Sequence, residues 1–163
     1  MQRRPGFTLV ETLIYTAFVG TIMVSMTLLA YSTFTIRSRV RASIILQENI
    51  RFAVGRTTHL VNEAEEISSP GFGITDGTLV LVTNATSTNP TTFTTVDGTV
   101  FVTQGVAGTP EALTSEEVFI SNLSFTRVSS TSDMIRMVAS GGLRNAAPSY
   151  PTITVTTTAA VRR

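Results

Sequence analysis

An uncharged apolar run near the N-terminus constrains this chain more than any other feature. From Thr12 to Ile36, 25 consecutive residues include no acidic or basic side chain, and Leu, Ile, Val, Met and Phe are frequent. As a helix rising about 1.5 Å per residue the run extends about 37 Å, whereas the hydrocarbon core of a bilayer is about 30 Å thick. We therefore predict a membrane-spanning helix, in which Gly20, Thr21 and Ser25 offer small positions for close approach of another helix.

Three interpretations of the residues before this run make different claims about the mature protein. A cleaved secretory signal peptide has a core of about 7–15 apolar residues and a small-residue cleavage site, so this run is too long for one. A twin-arginine signal is suggested by Arg3 and Arg4, but Pro5-Gly6 follows them and Glu11 interrupts the apolar region. The third interpretation begins from Glu11 itself. Because a charge costs about 2.5–3.5 kcal/mol at the centre of a membrane helix, a carboxylate beside the span requires a partner.

The segment Arg-Arg-Pro-Gly-Phe-Thr-Leu-Val-Glu, from Arg3 to Glu11 and directly before the apolar run, resembles the processing motif of type IV prepilins. In that family a membrane peptidase cuts after the glycine, here Gly6, and methylates the new N-terminal residue, here Phe7. The resemblance implies that a leader of residues 1–6 is lost. It also implies that Glu11 pairs with the N-terminal amine of a neighbouring subunit during assembly. Without that pairing, Glu11 is an interfacial residue stabilised by the helix dipole.

The arginines around the span do not decide its orientation. Arg3 and Arg4 precede the span, and Arg37, Arg39 and Arg41 follow it, so the positive-inside rule gives no clear answer. The resemblance implies a single-pass protein of the cytoplasmic (inner) membrane, with the leader in the cytoplasm and the head outside, and then a cell-surface or periplasmic filament. In that orientation the three later arginines lie near lipid headgroup phosphates before assembly.

Helical periodicity continues beyond the membrane run. Apolar residues at roughly 3.6-residue spacing are Val40, Ile44, Ile50, Val54, Val61 and Ala64. We predict one helix from Phe7 to about Ile67, of about 90 Å, with residues 7–36 in the membrane or filament core and 37–69 forming an amphipathic half. Ser68-Ser69-Pro70-Gly71 is predicted to end it, since proline cannot continue a helix.

The remainder of the chain, residues 70–163, is rich in threonine, valine, glycine and serine, which favours short strands and turns. The predicted strands are Leu79–Val82, Thr91–Val96, Thr99–Thr103, Val118–Val128, Met134–Ala139 and Thr152–Val161. Asp97-Gly98 indicates a hairpin, Ser129–Asp133 a turn, and Ser140–Pro151 a loop. We predict an α+β fold in which an antiparallel sheet of about four to six strands forms a head that packs on the helix's second half.

Composition excludes several classes of function. The chain has no cysteine and one histidine, His59, which removes disulfides, thiol chemistry and zinc sites built from Cys and His. Twelve basic residues against eleven carboxylates leave a net charge of +1, so nucleic acid is not an expected partner. No glycine-rich phosphate loop or convergent catalytic set occurs, and we predict neither enzymatic activity nor a cofactor.

Other polar positions are interpreted as structural. Glu65 and Glu66 are adjacent, and neighbours on a helix point about 100° apart, so we expect a solvated helix end rather than an acid–base pair. His59 and Glu63 lie one helical turn apart and suit a surface pair. The remaining motifs, two Asp-Gly turns and two glycosylation-type tripeptides, are Asp76-Gly77, Asp97-Gly98, Asn84–Thr86 and Asn122–Ser124.

The resemblance favours a minor pilin-like structural subunit of a type IV pilus-type filament. It implies as partners a prepilin peptidase, other pilin-like subunits, an inner-membrane assembly platform and, before assembly, membrane lipid. Major pilins often have a disulfide loop and a proline within the span, whereas this chain lacks cysteine and has Leu28 at that point. Two alternatives stay open: a type II secretion pseudopilin, or a filament-tip module for adhesion or DNA uptake with Arg127, Arg136 and Arg144 as polyanion contacts.

Overall fold

The computed structural model describes residues 8–129, 133–145 and 150–162. Within them the chain forms one long N-terminal helix followed by strands in two antiparallel sheets, and the helix packs on those sheets. The predicted α+β class is thereby confirmed. The chain divides into two compact units, Met1–Val40 and Arg41–Arg163.

Helix α1 comprises Leu9–Glu63 and therefore ends before the predicted Ile67. Neither glycine nor proline stops it. Instead the Glu65 N–H donates to the Val82 carbonyl at 2.9 Å, and Ile67 pairs with Leu81 in a sheet, so strand pairing replaces the last helical turn. The predicted 37–69 helical half is accordingly too long.

The buried face of α1 differs in part from the predicted one. Its buried side chains, spaced three or four residues apart for the most part, are Ala42, Leu46, Ile50, Ala53, Thr57, Leu60 and Val61. Val40 and Ile44 were predicted on this face, but they are 54% and 58% exposed. Alanines on the buried face let the helix approach the sheets closely, and the larger Val40 and Ile44 are left on the solvent side.

The first sheet has five strands in the order β1-β3-β4-β5-β6, and the second has four in the order β2-β7-β8-β9. In chain order the strands are β1 (Glu66–Ser69), β2 (Thr75–Asp76), β3 (Leu79–Val82), β4 (Thr91–Val96), β5 (Thr99–Gln104), β6 (Glu111–Ala112), β7 (Val118–Ser129), β8 (Met134–Leu143) and β9 (Ile153–Ala160). The prediction of one sheet is wrong. The strands β2 and β6 were not predicted, because segments of two residues have no alternation, and β1 was not predicted because Glu66 and Ile67 lie within the predicted helix.

The longer strands agree closely with the predicted segments. The β4–β5 hairpin turns at Asp97 and Gly98, whose φ angles of 50° and 73° suit the tight turn that Asp-Gly predicts. β8 continues through Ser140 to Leu143, so the loop predicted from Ser140 begins too early. The predicted turn at 129–133 includes residues outside the described set; of its ends, Ser129 belongs to β7 and Asp133 has a φ of 39°.

One hydrophobic core joins the second half of α1 to both sheets. The helix contributes Leu46 and Ile50, the five-stranded sheet contributes Phe93, and the four-stranded sheet contributes Phe125 and Ile135. All five are at most 1% exposed. Burial of this apolar surface is the main force that holds the head together.

Candidate functional site

The first part of α1 is apolar around its whole circumference. From Leu9 to Ile36 the large hydrophobic side chains are 49–80% exposed. The helix is long and apolar enough to cross a membrane, and none of its most apolar stretch is buried within the chain. So large an exposed apolar surface requires apolar surroundings, either lipid or other protein.

The serine and threonine hydroxyl groups of this segment are bonded within the helix itself. Every serine and threonine from Thr12 to Ser38 donates to a carbonyl three or four residues earlier, at 2.8–3.0 Å. In hydrocarbon an unpaired hydroxyl costs several kcal/mol, roughly 4–8 on water-to-alkane scales. The nine hydroxyls therefore do not oppose insertion into lipid, because each already has an acceptor.

Glu11 lies in the first turn of α1 and is its only acidic residue there. Its N–H donates to Oγ1 of Thr8 at 3.3 Å and to the Thr8 carbonyl at 3.1 Å, and Thr12 N–H donates to the same carbonyl at 3.2 Å. Thr8 is thus the N-cap, and Thr8-Leu9-Val10-Glu11 has the spacing of a capping box. The exposed Glu11 carboxylate is favoured there by the positive end of the helix dipole.

The predicted cleavage position lies outside the described residues. Gly6, Phe7 and the arginines Arg3 and Arg4 precede Thr8, where the description of the chain begins. The structure therefore defines the site from Thr8 onward: a capped helix start, one carboxylate, and no further charge until Arg37.

Two pairs of polar residues lie near the end of α1. Nδ1 of His59 lies 3.2 Å from Oε2 of Glu63, and the two side chains are 59% and 62% exposed. The predicted surface pair is confirmed. Glu65 and Glu66 are exposed but follow the helix rather than end it, and Glu66 begins β1.

Arg127 belongs to a buried ion pair. Its Nη2 contacts Oδ1 of Asp133, with side-chain exposures of 16% and 3%, and its Nη1 donates to the Ile67 carbonyl at 2.9 Å. The Val161 N–H donates to the Asp133 carbonyl at 3.1 Å. The pair therefore connects β1 and β7 to Asp133, directly before β8, and Asp133 in turn is bonded to Val161, directly after β9.

Arg144 connects the two sheets. Its Nε donates to the Glu116 carbonyl at 2.9 Å, and its Nη2 donates to the Asp97 carbonyl at 2.9 Å and to Oγ1 of Thr99 at 3.2 Å. The guanidinium also lies 5.5 Å from the centroid of the Phe119 ring, within the range of a cation–π contact.

The three arginines considered as polyanion contacts are not brought together. Arg127 and Arg144 make the internal bonds described above. Arg136 is exposed and pairs in register with Thr126, whereas Arg127 pairs with Ile135, so the two side chains point to opposite faces of the sheet. The structure thus gives no common basic surface from these residues.

The short motifs of the head occupy exposed turns or strand positions. Asp97 forms the hairpin turn, and Oδ1 of Asp76 accepts from the Thr78 N–H at 3.3 Å, so both Asp-Gly pairs have turn roles. Asn84 and Asn122 are exposed.

Sequence reasoning missed three residues with defined bonds. Thr8 had a signal, since Thr-x-x-Glu before an apolar run indicates a capping box. Asp133 lies six residues after Arg127 across a predicted turn, but only the folded hairpin brings them into contact. Asn49, whose Oδ1 accepts from the Ser115 N–H at 2.8 Å, had no signal, because its partner is distant in sequence.

The main feature of the described residues is a long helix with exposed apolar side chains. No group of three or more His, Asp or Glu side chains among them is arranged to hold a metal ion. The helix can enter an apolar medium and present one carboxylate at its start. Comparison with protein-family models, curated proteins and solved structures finds no match for this chain.

Proposed function

We propose that this chain is a minor pilin-like structural subunit of a type IV pilus-type filament. It is made as a single-pass precursor in the cytoplasmic membrane, with its leader in the cytoplasm and its head outside. A prepilin peptidase removes residues 1–6 by cutting after Gly6 and methylates Phe7. The mature chain then enters the filament through the apolar part of α1.

The observation that carries the proposal is the position of Glu11. It is the one charge in the first turn of a helix whose apolar side chains are exposed on all sides, and no further charge follows until Arg37. In a simple lipid anchor the Glu11 carboxylate would stabilise only the start of its own helix. In a helix that packs against copies of itself it has a second use, because cleavage after Gly6 creates a positive α-amine that can pair with a neighbour's Glu11 in apolar surroundings.

The exposed surface of α1 supports assembly as well as insertion. Lipid and neighbouring helices both satisfy an apolar surface, and the small positions Gly20 and Ser25 allow close helix contact. The same helix can therefore serve first as the membrane anchor and then as the packing element of a filament.

Cleavage tests the proposal directly. The chain is co-expressed with a prepilin peptidase beside a Gly6→Leu variant, and intact mass and N-terminal sequencing are measured. We expect a mature chain that begins at Phe7 only from the wild type. Retention of residues 1–6 in the wild type would contradict the proposal and leave a signal-anchored β head.

The motif fits a type II secretion pseudopilin equally well. Deletion of the gene for this chain distinguishes the two, because a pilus subunit is needed for pili and a pseudopilin is needed for secretion. A DNA-binding tip is not favoured, because the Arg127 and Arg144 guanidinium groups are already bonded to other groups of the head. Binding of DNA by the head, with an affinity that falls steeply as the salt concentration rises, would support it.

A further inference from the structure

β9 is a free edge of the four-stranded sheet. It follows β8 at the end of the order β2-β7-β8-β9, and among the described strands none lies on its other side. Its ladder with β8 runs without a register shift from Met134↔Ala160 to Gly141↔Ile153. The ladder between β7 and β8, by contrast, is interrupted twice. β9 therefore presents eight residues of regular backbone to its open side.

The other described edges are protected against pairing in ways that β9 is not. β1 has four residues, and β2 and β6 have two each. Each of these short strands also includes a carboxylate: Glu66, Asp76 or Glu111. Short strands and charges are the usual means by which proteins keep a sheet edge from pairing with another chain. β9 has no charged residue, no proline and no bulge.

The side chains of β9 are also incompletely covered. Ile153 and Val155 point toward the core but are only partly buried, because no strand lies beyond them. On the outer face, Thr154, Thr156 and Thr158 are exposed. An additional strand would cover the two apolar side chains and satisfy the open backbone groups.

Hydroxyl pairs between strands already occur on this outer face. The Ser140 and Thr154 hydroxyl oxygens are 2.9 Å apart, and those of Thr75 and Thr126 are 2.8 Å apart. Cross-strand pairs of this kind each contribute roughly 0.2–1 kcal/mol to a sheet. A partner strand with outward threonines at alternate positions would extend the same pattern.

We propose that β9 pairs antiparallel with β9 of a second copy of this chain. A sheet that continues through the pair must keep its outer side chains on one face, and a two-fold axis through Thr156 does so. Thr156 then faces Thr156 of the second copy, and Thr154 faces Thr158 of that copy, so the outward pairs nearest the axis are Thr–Thr. No like charges meet, because β9 is uncharged. This pairing does not depend on the proposed filament function.

Disulfide trapping tests the register of the pair. The chain has no cysteine, so Thr156→Cys and Thr158→Cys each introduce a single thiol. The full-length chain in detergent micelles is oxidised, and dimer formation is followed on non-reducing gels. Opposite residues in a ladder are within disulfide reach, whereas the two copies of residue 158 would be four positions apart, about 13 Å at roughly 3.3 Å per residue.

We expect Thr156→Cys to cross-link at least about tenfold faster than Thr158→Cys, and the double variant Thr154→Cys/Thr158→Cys to recover the fast rate. Circular dichroism of each variant checks that the head is folded. Equal rates at 156 and 158 would reflect contacts made through the membrane helix and would overturn the proposal. Absence of cross-linking at both positions would also overturn it and point to a strand of a different protein, or none.

A second experiment uses charge instead of thiols. Thr156→Lys and Thr156→Asp each place like charges opposite one another at the two-fold axis, and each alone is expected to be monomeric by light scattering in micelles. A mixture of the two is expected to restore the dimer. A mixture that stays monomeric, or single variants that dimerise as the wild type does, would contradict the pairing.

Discussion

At the scale of single residues, Glu11 combines two properties that a substitution can separate. It occupies the third position after the N-cap Thr8, where glutamine is as suitable as glutamate, and it supplies a charge, which glutamine does not. In Glu11→Gln we expect normal membrane insertion and cleavage but at least about tenfold less incorporation into filaments, since a charge-assisted pair is lost. Immunoblots of sheared filaments against the membrane fraction measure this ratio.

Thr8→Ala is the matched control. It removes the capping hydroxyl, which costs about 1 kcal/mol of helix stability, and leaves the Glu11 charge in place. Incorporation of this variant should stay near the wild-type value. If Glu11→Gln assembles as well as the wild type, the carboxylate serves the cap and not the neighbour.

Arg127 and Asp133 form a second residue-scale unit. Arg127→Met removes the guanidinium that contacts the buried Asp133 carboxylate, and we expect a loss of about 3–5 kcal/mol in the free energy of unfolding. Urea unfolding followed by circular dichroism measures the loss. Arg136→Met, on the exposed face of the neighbouring strand, is the control and should change stability by less than about 0.5 kcal/mol. Equal effects in the two variants would refute a stabilising role for the buried pair.

At the scale of elements, the two faces of α1 differ in what they contribute. Ile50 is 1% exposed and packs in the core, whereas Ile44 is 58% exposed. Ile50→Ala should lower the free energy of unfolding by about 2–5 kcal/mol, because it leaves a cavity. Ile44→Ala should change it by less than about 0.5 kcal/mol. Urea unfolding of the two variants compares the losses. A larger loss for Ile44→Ala than for Ile50→Ala would mean that the buried face is misassigned.

The existence of the helix was predictable, but its end and its buried face were not, and it begins at Leu9 rather than at the predicted Phe7. The helix can be predicted from the run Thr12 to Ile36, because the apolar residues that indicate it all lie within the helix. Ile67 continues the helical pattern, yet it pairs with Leu81, which lies fourteen positions further along the chain. A long-range strand contact therefore overrides local periodicity, and no pattern within the helix announces it.

The strands show the same division. Asp97-Gly98 predicts its hairpin because the turn is determined by its own residues. Gly141 and Gly142 fall within the loop predicted from Ser140 to Pro151, yet they lie within β8. A Cβ at Gly141 would approach the Phe119 carbonyl oxygen to 2.8 Å, so glycine is required there by close approach of β7. That requirement exists only once both strands are paired.

The candidate site follows the same rule. Glu11 could be singled out from the sequence because it is the lone charge beside an apolar run, and Thr8 carried a capping signal within three residues. The pair of Arg127 with Asp133 and the bonds of Arg144 depend on the sheets being folded. Local chemistry was therefore predictable, and chemistry created by the fold was not.

At the scale of the whole molecule, the hydrophobic core begins after the apolar part of α1. The first helix residue of the core cluster is Leu46, and the first buried residue of the helix is Ala42. We expect a chain truncated to residues 41–163 to fold without detergent. Its free energy of unfolding should be within about 1 kcal/mol of the value for the head in the full-length chain, because no core contact is removed. Size-exclusion chromatography and urea unfolding measure this.

The matched control begins at Ala53 and removes Leu46 and Ile50. Each loss is expected to cost about 2–5 kcal/mol, comparable with the total stability of a small domain, so this shorter chain should be unfolded or aggregated. Two folded truncations would show that the helix contributes little to the head, and two unfolded ones would show that the first 40 residues support it.

The internal bonding of the nine serine and threonine hydroxyls from Thr12 to Ser38 has a consequence for how this helix moves from one environment to another. Each hydroxyl keeps its acceptor on the same helix. Transfer from a bilayer into a protein assembly, or back again, therefore leaves these hydrogen bonds unchanged. In the proposed filament, the equilibrium between the two environments would then depend on shape complementarity between helices and on the charge of Glu11.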